Sequence, residues 1–98
     1  MVAYKGLTDR EAVDAVLAEF DRIGRHTFLE KHGFGAARTY FLVTKTGRYD
    51  SKAIFAAAFE LQHGVTLGPA DLSGGKTGAA RRLAELGYTI EGLADGNG

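Results

Sequence analysis

The stretch Tyr40-Phe41-Leu42-Val43-Thr44-Lys45-Thr46-Gly47-Arg48-Tyr49-Asp50-Ser51-Lys52-Ala53-Ile54 decides the fold. With Thr39 before it, its first part is rich in β-branched and aromatic residues, which suit a pleated strand. Lys45 to Arg48 carries Gly47 and reads as a short turn, after which Tyr49 runs back along the strand as in a hairpin. Asp50 or Ser51 then stands where a helix cap is needed, because a short polar side chain can accept from the unpaired N–H groups of the first turn. In that helix Ile54, Ala57, Ala58 and Leu61 recur at helical spacing and are expected to face the core.

Outward from this unit the signals are helical. Thr8 with Glu11 three residues later has the form of a capping box, and Val13, Val16, Leu17 and Phe20 follow as one apolar stripe. Gly24 ends that helix; 25–32 can form a further short helical turn, stopped by Gly33. Downstream, Gly64 closes the long helix, and the loop Gly68-Pro69-Ala70-Asp71 leads to a third helix over 76–86, with Ala79, Leu83 and Leu86 inward. Gly87 stops it and Tyr88-Thr89-Ile90 reads as a closing strand. The expectation is α+β: one compact domain over 1–93, order α-β-β-α-α-β, with a small antiparallel sheet and a loose tail at 94–98.

Apolar residues make up 45% and charged residues 24% of the 98, the balance of a soluble globular domain. No apolar run approaches the roughly 20 residues that a bilayer requires. The chain starts without a basic segment followed by an apolar one, and it has no cysteine, so a cytoplasmic protein without membrane contact is expected.

Net charge is zero, yet the charges are segregated along the chain. Residues 22–52 carry seven cations (Arg22, Arg25, Lys31, Arg38, Lys45, Arg48, Lys52) against Glu30 and Asp50. Residues 73–82 add Lys76, Arg81 and Arg82 with no acid. Such segregation can give a neutral protein a positive face, provided that charges grouped in sequence are also grouped in space.

Ser73-Gly74-Gly75-Lys76-Thr77-Gly78 looks like the end of a phosphate-binding loop. A nucleotide loop of that kind needs a first glycine four residues before Gly-Lys-Thr, and that position is Ala70. No buried strand precedes it, so a nucleotide-hydrolysing site is excluded. What remains is local: the amides of Gly74 and Gly75 at a helix start favour an anion, with Lys76, Thr77 and Arg81 beside them. The competing reading is that Ser73 caps the helix and the glycines make the turn.

His26, His32 and His63 invite a metal, but the first two fall on opposing sides of a helix and surface or polar-network roles suit all three better. Asp50-Ser51-Lys52 has the Asp-x-Lys form of some metal-dependent nucleases, with Glu30 as the nearest upstream acid. Helix capping explains it more simply. Phe28, Phe34, Tyr40, Phe41 and Tyr49 lie among the cations, an interleaving that can stack on bases. Phe34 and Phe41 fit a core, and Tyr49 beside Arg48 is the better surface candidate.

Gly33-Phe34-Gly35, Tyr40 to Val43, Tyr49-Asp50-Ser51-Lys52-Ala53-Ile54, Leu72-Ser73-Gly74-Gly75 and Leu83 to Gly87-Tyr88, in that order, resemble the N-terminal head domain of ScoMcrA-like, modification-dependent (type IV) HNH restriction endonucleases. The resemblance covers nearly the whole chain. It implies a DNA-facing accessory module without a nuclease of its own, since the only asparagine is Asn97. By position it points to Tyr49, Ser51 and Lys52, and to Ser73, Gly74 and Gly75.

The expected function is therefore a non-catalytic DNA-binding module of a restriction or phage-defence protein, contacting double-stranded DNA, with modified DNA as a candidate ligand. Arg48, Tyr49, Ser51, Lys52, Ser73, Gly74, Gly75, Lys76, Thr77 and Arg81 are its candidate contacts, with no cofactor or metal. The alternative is a protein-interaction or interdomain docking module.

Overall fold

The structure, a computed structural model, describes residues 3–73 and 77–93. Helix α1 (Arg10–Ile23) is followed by α2 (Arg25–His32), strands β1 (Phe41–Val43) and β2 (Arg48–Asp50), helices α3 (Ser51–His63) and α4 (Ala79–Glu85), and strand β3 (Thr89–Glu91). Short 3-10 turns at Tyr4–Gly6 and Pro69–Asp71 complete it. Four helices pack with one three-stranded antiparallel sheet, order β2-β1-β3, in an α+β domain. The closing strand thus sits beside the first strand of the hairpin. Among the described residues, no helix is long and apolar enough to cross a membrane.

Helix α3 is the centre. Ala53, Ile54, Phe55, Ala56, Ala57 and Ala58 are buried consecutively, so the helix is covered on all sides along its first half. Its alanines let α1, α4 and the sheet approach closely, and Ile54 and Phe55 each add roughly 1.5–3 kcal/mol by leaving water. Leu61, expected inward, is instead 60% exposed, and at that level α3 meets the 6–9 segment through Gln62 and His63. Helix α1 brings Val13, Val16, Leu17 and Phe20; α2 brings Phe28 and Leu29. Phe20 meets Phe28 at 5.0 Å and Tyr49 edge-on at 4.9 Å between ring centres, which ties both helices to the sheet.

The start of α1 differs from expectation. Asp9 is its cap, accepting from the N–H groups of Glu11 and Ala12 at 2.9 and 3.3 Å. Thr8 is taken by α3: Gln62 donates to its hydroxyl at 2.8 Å and accepts from the Thr8 N–H at 3.0 Å. An ionised carboxylate at a helix start is also favoured by the dipole, which Thr8 could not match.

Helix α4 begins at Ala79, three residues later than expected, with Gly78 as its cap. The Ser73 carbonyl accepts from the Ala79 N–H at 2.8 Å, and a Cβ on residue 78 would overlap that carbonyl. Ser73 therefore supports this helix through its backbone, not as a side-chain cap. Gly74, Gly75 and Lys76, the heart of the anticipated anion loop, lie outside the described residues, as does the tail at 94–98.

Candidate nucleic-acid interface

The hairpin register pairs Leu42 with Tyr49 and with Ile90, and turns Leu42 and Tyr49 inward. Tyr49 is only 2% exposed, and its hydroxyl donates to the Asp21 carboxylate at 2.9 Å. It is a core residue that cannot stack on a base from outside. Alternation then sends Phe41, Arg48 and Glu91 to the outer face. There the Arg48 guanidinium lies 3.8 Å above the Phe41 ring centre and donates through two nitrogens to Glu91, each at 2.9 Å. Phe41 is thereby buried from the solvent side. Arg48 is exposed but engaged, an outward-facing brace across β1 instead of a free phosphate contact. Its hydrogen bonds hold the Glu91 carboxyl below its usual range.

Asp50 is 2% exposed, an unusual place for a carboxylate without compensation. Arg25 supplies it, donating from Nε and a terminal nitrogen at 2.9 and 2.8 Å, and the Ala37 N–H donates at 2.8 Å. The hydrogen bonds to Asp50 raise the Arg25 pKa in return. Asp50 occupies the cap position of α3 without making a side-chain cap bond, contrary to the sequence reading. Ser51 is buried too and donates to the Tyr40 carbonyl at 3.0 Å. These bonds anchor the irregular segment 34–40 against the start of α3. They also occupy Asp50, so both its oxygens are engaged within the protein and turned to Arg25 and Ala37. Among the described residues, no group of three or more histidine and carboxylate side chains could hold a metal ion.

Between that segment and α3 lies a cavity of about 340 Å³. Phe34, Asp50, Ser51 and Ala53 are its buried members; Gly35, Ala36, Arg38, Thr39 and Pro69 are exposed at its mouth, with Tyr40 and Lys52 between. The side chains of Arg38 and Lys52 make no ion pair or hydrogen bond among the described residues. Four of the seven cations of 22–52 therefore differ from the other three. Arg25, Lys31 and Arg48 are paired with Asp50, Glu19 and Glu91, whereas Arg22, Arg38, Lys45 and Lys52 have no such partner among the described residues.

Thr77 and Arg81 line a second cavity of about 360 Å³ with Tyr4, Lys5, Gly78, Arg82 and Glu85. Arg82 is committed there: it donates to the Leu7 carbonyl at 3.0 Å and to Glu85 at 3.0 Å. Ser73 is exposed, and its N–H donates to the Tyr4 hydroxyl at 2.6 Å. The candidates thus divide between two cavities. Lys52 and Ser51 line the first, Thr77 and Arg81 the second, and Arg48 and Tyr49 neither. Arg38 and Tyr40, absent from the candidates, line the first. The signal for them was the run Gly35-Ala36-Ala37, small residues that leave open space beside the next cation.

A small α+β domain, with one helix core and a cation-edged cavity, is what these elements define. Residues 6–92 match the family model of the ScoMcrA-like N-terminal head domain, and the chain belongs to that family. The chain is also similar to the solved structure of the Type IV phosphorothioation-dependent restriction endonuclease ScoMcrA, with a TM-score of 0.63 and 29% identity. That match covers 91% of this chain and 14% of that one, so this chain spans about a seventh of its length. No curated protein matches.

Proposed function

We propose that this domain is a non-catalytic DNA-contacting module of a restriction or defence protein, separate from the HNH nuclease that such a protein carries. One observation carries the reading: Arg38 and Lys52, 14 positions apart in sequence, edge the same cavity without a protein partner among the described residues. Cations held near one another with no acid to satisfy them suit the phosphates of a nucleic-acid backbone. Membership of the head-domain family supplies the restriction context. Ser73, Thr77 and Arg81, with Gly74, Gly75 and Lys76, form a second phosphate-contacting stretch in this proposal.

Phosphate contacts predict salt-sensitive binding with little sequence preference. Titration of a labelled duplex across a salt series is the test. Lys52→Ala and Arg38→Ala should each reduce the slope of log affinity against log salt by about one and leave the melting temperature nearly unchanged. Absence of duplex binding even at low salt would overturn the proposal. A docking module is the second reading, favoured by Leu61 and Val65, which are 60% and 48% exposed near the end of α3. Loss of partner-domain association in Leu61→Ser, with DNA affinity intact, would support it.

A further inference from the structure

A phosphate alone needs no cavity; a pair of surface cations is enough. The space between 34–40 and α3 is deeper than that, and its volume of about 340 Å³ is of the size that takes a small organic ligand. Its chemistry is graded. The mouth carries the cations Arg38 and Lys52, and the walls are Phe34, Tyr40, Ala36, Ala37, Ala53 and Pro69. The polar side chains beneath are already engaged: the Asp50 carboxylate accepts from Arg25 and the Ala37 N–H, and the Ser51 hydroxyl donates to the Tyr40 carbonyl. Charge does not repel an anion here, because Asp50 is offset by Arg25, while Arg38 and Lys52 are offset by nothing among the described residues.

A fitting ligand is therefore anionic at one end and flat and mostly apolar at the other. We propose that the cavity receives one unpaired nucleotide of a DNA strand, with its phosphate at Arg38 and Lys52 and its base against Phe34 and Tyr40. The inference rests on the DNA-contacting reading above and adds the form of DNA that is preferred. A base already unpaired enters without the cost of breaking a pair, so strand ends and gaps bind better than continuous duplex. Any base can stack on the aromatic wall, a purine over more area than a pyrimidine.

The test compares a blunt duplex with the same duplex bearing a single-nucleotide adenine or thymine overhang, at fixed salt, with free dAMP as a third arm. The adenine overhang should bind roughly tenfold more tightly than the blunt duplex, the increment expected from placing one base on an aromatic wall. The thymine overhang should fall between them. Gly35→Trp provides the control: a Cβ at Gly35 meets nothing within 4 Å, so an indole can occupy the mouth without disturbing the fold, which thermal melting verifies. That variant should lose the overhang preference, binding all three DNAs alike. Duplex binding with equal affinity for all three DNAs would overturn the inference and leave the DNA-contacting module standing. Binding of dAMP as tight as that of the overhang would also overturn it, by making free nucleotide the ligand. Failure of every DNA to bind would remove the underlying proposal itself.

Discussion

Arg48 and Lys52 stand four positions apart, on either side of the junction between β2 and α3, and look equivalent as a pair of cations. The fold separates their fates. Arg48 lies on the outer sheet face above Phe41, and Glu91, 43 positions further on, takes both of its donor groups. Lys52 lies on the first turn of α3 at the edge of a cavity, with no acid in reach of it among the described residues. A positive charge is available to a ligand only where the chain has not already answered it, and the answer comes from distant acids. The basic stretch 22–52 therefore overstates the charge on offer: Glu19 and Glu91, both outside it, neutralise Lys31 and Arg48.

The strongest way to break this comparison is at Asp50, the acid inside the basic stretch. Its carboxylate accepts from Arg25 and from the Ala37 N–H at a site 2% exposed, so it fixes the segment that forms the cavity wall. Asp50→Asn keeps the shape but cannot accept two guanidinium bonds and the amide together. Removing one partner of a buried pair costs about 3–5 kcal/mol. Arg25 is 48% exposed and regains water, so a loss of about 2–3 kcal/mol in urea unfolding is expected. A loss below about 0.5 kcal/mol, the usual size of a surface change, would show that the pair is solvated and not structural.

Much of this fold can be read in the chain, and the reasons for the remainder are specific. The hairpin entering α3 is visible because strand composition, a glycine turn and a helix start follow one another within residues 40–54. Gly24, Gly33 and Gly64 mark helix ends because each takes a positive φ, which side chains disfavour. Tyr49 could not be placed in the same way. Strand β2 has three residues, and alternation over so short a strand assigns faces only once the pairing of Leu42 with Tyr49 is known. Asp50 was open to misreading for a related reason: a carboxylate before a helix has the form of a cap until Arg25 arrives from α2. The cavity needs both the 34–40 segment and α3, which meet through the bonds of Asp50 and Ser51 to that segment. None of that is local information.

The direct form of the comparison is a pair of alanine substitutions. Arg48→Ala removes an exposed ion pair and the cover over Phe41. It should lower stability only slightly, because exposed pairs contribute little and the arginine stem adds only modest packing. Its effect on DNA affinity should be small, since the group it deletes is already bound to Glu91. Lys52→Ala should do the opposite: nearly unchanged stability and a measurable loss of affinity at low salt. If Arg48→Ala weakens DNA binding as much as Lys52→Ala does, Glu91 yields its partner to phosphate and the distinction between the two cations fails.

The smallest expected effect turns Arg48 into a second Lys52. Glu91 is held below the usual carboxylate range by the Arg48 hydrogen bonds, so its folded value lies under the ordinary 4.5. The stabilisation that goes with this is present above that ordinary value and is lost as pH falls through the lowered one. Near neutral pH the pair is therefore intact, and only substitution can release the arginine. Glu91→Gln keeps the size and a hydrogen-bonding oxygen but removes the charge that competes with phosphate. Affinity for duplex at low salt should rise about two- to threefold, and the salt slope should steepen by up to about one, the increment of a single new phosphate contact. The gain should disappear when Arg48→Ala is added, because the released guanidinium is its source. A gain that survives in the double variant would instead trace to the lost negative charge alone, and Arg48 would have no part in the surface that meets DNA.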